Sequence, residues 1–295
     1  MTVSGKRTLL IVNPGGGDAA DAGRRACRTL ETGGDRVDFH LPEDPAEISD
    51  LIRSLGPASD RIVLGGGDGT FSHSAEALLD AGRPFGILPL GTANDLARTF
   101  AIPHEPERAA RVVLRGGLRR IDLGIVNGRP FFNVASLGFS VKVANYHTGE
   151  RKKRLKLLSY PLSWLDAQRD MKPFEARITW NGDTKKTKST MIAVGNGVHY
   201  GGGLTIADDA AIDDGWLDVY YVKPLGPWGM LKLLPYLKFG ALKRRQDVRT
   251  LRAAAVRVET TPTQEINVDG DVIAETPADF SVLPKALEVF VPATK

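Results

Sequence analysis

Three glycine-rich stretches each separate a short apolar run from an amphipathic one: Asn13-Pro14-Gly15-Gly16-Gly17, Gly65-Gly66-Gly67-Asp68-Gly69-Thr70 and Pro89-Leu90-Gly91-Thr92-Ala93-Asn94-Asp95. Strand, tight turn and helix form the repeating joint of a parallel sheet, so residues 7–122 read as a doubly wound, Rossmann-like α/β domain. Strands are expected at 8–12, 36–40, 61–64 and 85–88, and helices at 19–30, 46–55, 70–81, 93–100 and 106–115. All strand-to-helix turns of such a sheet leave from its carboxyl edge, so groups on the three loops should meet there. Glycines let backbone N–H groups face an anion, and the following helix N-terminus adds positive potential. A phosphate-rich ligand fits. The plain alternative is that glycine only makes tight turns and that Thr92 with Asp95 forms a capping box.

From about Ile121 the texture changes. Asn127-Gly128 lies between apolar runs at 121–126 and 130–135, and Asn181-Gly182 follows Ala176, Ile178 and Trp180, which alternate with polar neighbours. The second domain, 123–295, should therefore be mainly antiparallel β, after a first domain at 1–122. Segments 151–171 and 227–245 interrupt it, both helix-compatible and both mixing Leu, Trp and Tyr with clustered Lys and Arg.

The formal net charge of +4 hides an uneven distribution: +5 at 141–172, +7 at 223–252 and −8 elsewhere. Basic segments on an acidic body suggest a polyanionic surface as partner. The lone Cys27 can form no internal disulfide and points to a reducing, cytoplasmic setting. No apolar run approaches the length of a membrane span, and the start has no signal-peptide pattern. At 295 residues the chain can bury a core without staples.

No G-x-x-x-x-G-K-[ST] occurs, which argues against a Walker-type site. Gly15-x-Gly17-x-x-Ala20, with Asp38 ending the next strand, passes a lenient dinucleotide test, so a nicotinamide oxidoreductase stays open. That reading leaves the second and third loops unexplained. Asp68 inside a glycine run would repel phosphate unless a cation lay between, which makes Mg²⁺ the natural guest.

The ordered strings N-P-G-G-G, G-G-D-G-T, L-P-L-G-T-A-N-D-L-A-R, G-N-G-x-x-Y-G-G-G and D-D-G-W-L-D-V resemble the diacylglycerol kinase catalytic-domain family, from about Leu9 to Asp271. That family includes sphingosine and ceramide kinases and soluble bacterial lipid kinases. G-G-D-G-T alone is shared with NAD kinases. The resemblance implies transfer of the ATP γ-phosphoryl group to a lipid hydroxyl, in a cleft between the α/β domain and a C-terminal β-sandwich. It further implies that Asn13, Gly66, Gly67, Asp68, Gly69, Thr70, Phe71, Ser72 and Thr92 line the nucleotide, with Asp68 acting through Mg²⁺. In the matching Asp269-Gly270-Asp271 element, Asp271 would take the hydroxyl proton. The plain alternative there is a hairpin turn, since Asp-Gly stands between 266–268 and 272–274. A second, structural magnesium would use Asp214 with the backbone of Ala211 and Trp216, the alternative being a solvated acidic turn. The chain departs from the family pattern at Gly16 (usually serine), at Ser72-His73 (usually Asn-Glu) and at His40 (often threonine), which puts nucleotide preference in question.

An enzyme acting on a lipid must visit a bilayer, and two segments suit contact with an anionic membrane. One is Arg151-Lys152-Lys153-Arg154 before Leu155, Leu157 and Leu158; the other is Trp228, Leu231, Leu234 and Tyr236 before Lys243-Arg244-Arg245. Helices with solvated basic faces are the alternative. Nucleic acid is not expected, because no recognised binding signature is present. Readings left open are an NAD kinase-like phosphotransferase, the oxidoreductase and an inactive lipid-binding relative. The lipid, its acyl chains and the oligomeric state, a homodimer among the options, are not legible.

Overall fold

The computed structural model describes residues 5–15, 18–139, 141, 172–197, 211–233, 235–236 and 241–293. The chain divides into two compact units, Met1–Leu123 with Leu283–Lys295, and Gly124–Val282.

In the first unit, four parallel strands run in the order β2 (Arg36–His40), β1 (Arg7–Val12), β3 (Arg61–Gly66), β4 (Phe85–Pro89). Both β3 and β4 are buried along their whole length, as expected for strands covered on two faces. The helices are α1 (Ala19–Thr32), α2 (Glu47–Leu55), α3 (Asp68–Ala81), α4 (Asp95–Thr99) and α5 (Pro106–Arg115). α1 packs with α5, and α2 with α3. Pro106 opens α5, where its missing N–H costs nothing. Gly82, with φ 58°, closes α3 by donating to Leu78 O and Leu79 O. The direction of winding changes between β1 and β3, and ligands of such sheets bind outside the strand ends at that point.

A buried ion pair ties these elements together. Arg61 and Asp35 have side chains only 5% and 4% exposed. Arg61 Nε donates to Thr8 Oγ1 at 3.0 Å, and Nη1 donates to Val113 O at 2.8 Å. In α1, burial and the neighbouring Glu31 push the Cys27 thiol up from its ordinary value.

Residues 283–293, left with the second domain by their sequence texture, group with the first unit. β16 (Ala278–Val291) aligns Val289 in parallel with Phe85 of β4. Asp122, buried in β5 (Gly117–Val126), accepts a hydrogen bond from Lys285 N at 2.7 Å. Both links join residues far apart in the chain, so no local pattern announces them.

The second unit is antiparallel. Three hairpins turn on two-residue loops with positive φ at both positions: Asn127-Gly128 (48°, 85°), Asn181-Gly182 (47°, 86°) and Asp269-Gly270 (49°, 115°). They join β5 to β6 (Arg129–Phe131), β8 (Phe174–Trp180) to β9 (Asp183–Ser189), and β14 (Glu265–Val268) to β15 (Asp271–Glu275). One layer places β13 (Ala255–Thr261) between β8 and the first residues of β16. The other runs β12 (Val248–Ala253), β11 (Leu217–Val222), β10 (Met191–Gly195), β7 (Val134–Gly138), β14, β15. Phe174, Ile178 and Val258 from the first layer meet Leu137, Val194 and Ile266 from the second in one core, the arrangement of a sandwich.

Two expectations change. The run at 130–135 is not one strand: β6 ends at Phe131 and β7 begins at Val134, because the N–H groups of 132–134 turn to a carboxylate elsewhere. Nor is 227–245 one helix: α6 (Pro227–Leu231) is short, and Leu242–Arg244 forms a tight turn. Pro235 has no N–H to continue the ladder from Leu231. Segment 151–171 lies outside the described residues.

Candidate active site

The loops after β1, β3 and β4 stand side by side at one edge of the first sheet. Asn13 joins the first to the second: its N–H donates to Gly65 O at 2.8 Å and Nδ2 to Thr70 Oγ1 at 2.8 Å. Asn13 Oδ1 accepts from Gly15 N at 2.9 Å, which curls the first loop back. The second and third loops touch through their backbones: Leu90 N donates to Gly66 O at 2.9 Å, and a Cβ on Gly91 would stand 2.5 Å from Gly67 Cα. A Cβ on Gly66 would reach to 2.4 Å from Thr70 Oγ1, so α3 can begin this close to its strand only over glycine.

Asp68, half-buried in the first turn of α3, accepts a hydrogen bond from Leu96 N at 3.1 Å and so holds α4 against the second loop. The cap of α4 differs from expectation. Asn94, in the left-handed region at φ 51°, is its N-cap, so Thr92 and Asp95 do not form a capping box. The Asn94 amide grips the loop twice, accepting from Gly91 N at 2.9 Å and donating to Gly91 O at 2.8 Å. Thr92 is left exposed at the rim. Among the other expected residues, Ser72 is half-buried, whereas Phe71 lies in the core with its ring 6.4 Å from that of Phe85. Phe71 can offer only main chain to a ligand. His73 Nδ1 lies 2.8 Å from Gly69 O, and His40 Nε2 lies 2.8 Å from Asp38 Oδ1. Gly16 lies outside the described residues.

The second unit builds its own cluster. Asp269 receives three consecutive backbone donors: Phe132 N to Oδ2 at 2.7 Å, Asn133 N and Val134 N to Oδ1 at 3.0 and 2.9 Å. The same bend is held from its carbonyl side, with Asn196 N and Gly197 N donating to Asn133 O at 2.8 and 3.1 Å. Asn196 Nδ2 donates to Phe132 O at 2.9 Å. Asp271, half-buried, opens β15 two residues after Asp269. Sequence reasoning assigns no role to Asn94, Asp269 or Asn196, although a glycine beside Asp269 and beside Asn196 is a visible signal for those two.

The two expected magnesium positions differ in fit. At the first, Asp68 brings a carboxylate to the glycine loops, the oxygen donor a cation between protein and phosphate needs. At the second, Asp214 Oδ1 accepts from Trp216 N at 3.0 Å while Oδ2 pairs with Arg252. Arg252 also stands 3.7 Å, and Lys243 3.9 Å, from Asp218 Oδ1. A cation at Asp214 would have to displace a resident guanidinium, and this corner, with half-buried Ala211 and exposed Trp216, is a poor fit for one.

The profile described as the diacylglycerol kinase catalytic domain matches residues 7–126, and that described as the YegS C-terminal NAD kinase beta sandwich-like domain matches 133–291. The chain belongs to the diacylglycerol kinase family. A Mycobacterium tuberculosis protein named diacylglycerol kinase is 32% identical over 302 residues, covering 98% of this chain and 96% of that one. A YegS-like lipid kinase of Pseudomonas aeruginosa is 37% identical over 240 residues, 79% of this chain and 76% of the relative. An uncharacterized Synechocystis protein is 29% identical, and the chain spans only 61% of its length. A Bacillus anthracis crystal structure described as a diacylglycerol kinase shares the fold, with TM-score 0.79, 22% identity and 97% of both chains covered. Membership of this kinase family makes the chain a transferase with ATP as the expected phosphoryl donor, in place of the oxidoreductase reading.

Proposed function

We propose that the chain is an ATP- and Mg²⁺-dependent lipid kinase that phosphorylates the hydroxyl of diacylglycerol or a similar lipid alcohol. The observation that carries this reading is the joining of three glycine loops, Asn13 to Thr70 and Gly67 to Gly91, into a single rim at the switch point of the sheet. There, Asn13, the backbone of 66–72 and Thr92 hold the nucleotide phosphates, with α3 directing its N-terminus at them. Magnesium bound at Asp68 would neutralise phosphate charge. Asp271 accepts the lipid hydroxyl proton as the lipid oxygen bonds to the γ-phosphorus and the bond to the departing ADP oxygen breaks. Both oxygens of Asp269 are engaged by backbone N–H groups, which gives Asp269 a part in holding the turn.

Labelled ATP offered with diacylglycerol, ceramide, sphingosine and NAD tests the reading. Label is expected in a lipid. Label in NAD alone would favour an NAD kinase-like activity, for which the description of the second matching profile is the supporting observation. Label in none of these acceptors would overturn the proposal.

Reversible attachment to an anionic membrane belongs to the same reading. Trp228 on α6 is 77% exposed, Lys232 follows it, and Arg245 stands over the Tyr236 ring at 5.3 Å. An indole facing water beside basic residues suits insertion among headgroups.

A further inference from the structure

We propose that Asp269 is a positioning residue for Asp271: by collecting three consecutive N–H groups of the bend between β6 and β7, its carboxylate fixes the turn that carries the proton acceptor. The inference rests on the reading that Asp271 takes the lipid hydroxyl proton.

Turn chemistry alone does not explain an aspartate here. The hairpins at Asn127-Gly128 and Asn181-Gly182 use asparagine at the same left-handed position, and asparagine would serve Asp269-Gly270 equally well. What asparagine could not do is receive Phe132 N, Asn133 N and Val134 N together. Its oxygen could keep the two donors at Oδ1, but its Nδ2 would then face Phe132 N, donor against donor. The bend, 135 to 137 residues away in sequence, is therefore what calls for a carboxylate.

The bend is a firm anchor. Its carbonyls at Phe132 and Asn133 receive Asn196 Nδ2, Asn196 N and Gly197 N, and Val134 O receives Asp269 N in return. The bend at 132–134 thus bonds to 196–197 on one side and to Asp269 on the other, at the ends of β7, β10 and β14. The turn needs such an anchor, because β15 is the outermost strand of its layer among the described residues and exposes Val272 and Ile273. A proton acceptor must stay within hydrogen-bond reach of its proton, and misplacement by about 1 Å costs on the order of 10²-fold in rate.

The test compares Asp269→Asn, Asp271→Asn and the double variant of the full chain, using turnover with saturating lipid and the KM for ATP. Asp269→Asn is expected to lose on the order of 10²-fold in kcat with its ATP KM changed by less than about twofold. The double variant is expected to be no slower than Asp271→Asn alone, since the positioning has nothing left to act on. A purely structural role would lower melting temperature and multiply the two losses, and multiplied losses overturn the inference. Wild-type kcat in Asp269→Asn beside an inactive Asp271→Asn overturns it while leaving Asp271 as the base. Full turnover in Asp271→Asn instead removes the base assignment, and this inference with it. Should Asp269→Asn not fold, Gly270→Ala disturbs the same turn, since φ is 115° there and an added Cβ meets no atom within 4 Å. The same kcat loss at unchanged ATP KM is expected, and an unchanged kcat overturns the inference.

Discussion

Gly69 is a glycine that the fold itself does not require. Its backbone has no positive φ, and a Cβ there would meet nothing within 4 Å, whereas at Gly66 and Gly91 it would strike Thr70 and Gly67. Gly69→Ala should therefore leave the unfolding free energy unchanged or raise it by up to about 1 kcal/mol, the helix-propensity difference. If the open space belongs to a phosphate, the same variant should raise the ATP KM by on the order of tenfold, equivalent to about 1.4 kcal/mol; an unaltered KM would remove phosphate from that spot. Asp68→Asn separates charge from architecture in a similar way. Asparagine still offers an oxygen to Leu96 N, so the loop should stand, yet turnover should fall by at least about 10²-fold with the loss of the anion. Calorimetric unfolding beside the transfer assay would show whether the two effects part. Asp68 was legible because a carboxylate in a glycine run is electrostatically odd. Asn94 was not, because its two bonds to Gly91 depend on a left-handed backbone that asparagine tolerates but does not dictate.

Whole elements were most readable where their physics is local. β2 and α5 occupy the spans their patterns predict, and all three two-residue hairpins form where Asn-Gly or Asp-Gly interrupts alternating residues. The break between β6 and β7 was hidden, because an apolar run cannot reveal that its N–H groups will be taken by Asp269. Arg61 and Asp35 make the same point energetically. Nothing near Arg61 in sequence marks it for burial, yet it links β3 to Thr8 of β1, to Asp35 before β2 and to Val113 of α5. Asp35→Ala would strand a buried guanidinium and should cost about 3–5 kcal/mol, read as a fall in the urea midpoint with an unchanged slope. A loss below about 1 kcal/mol would mean the pair behaves as an exposed one.

Across the molecule, the contrast between an acidic remainder and two basic segments is the feature composition alone conveyed. Membrane attachment is expected to follow it. Sedimentation with anionic vesicles should exceed that with neutral ones and decline with added salt, and Trp228→Ala should weaken it, since among the described residues the indole is the most exposed of the large apolar side chains. Equal, negligible pelleting with both lipids would remove the idea. Among the described residues no helix is long and apolar enough to cross a bilayer. What composition and pattern could not convey is the return of 283–293 to the first unit. That return has a consequence for synthesis on the ribosome. The strand that pairs with β4 at Phe85 emerges only after the intervening 124–282 has been made, so a nascent chain lacks that partner throughout the interval. The first sheet to be translated is thus completed only after the second unit has been made.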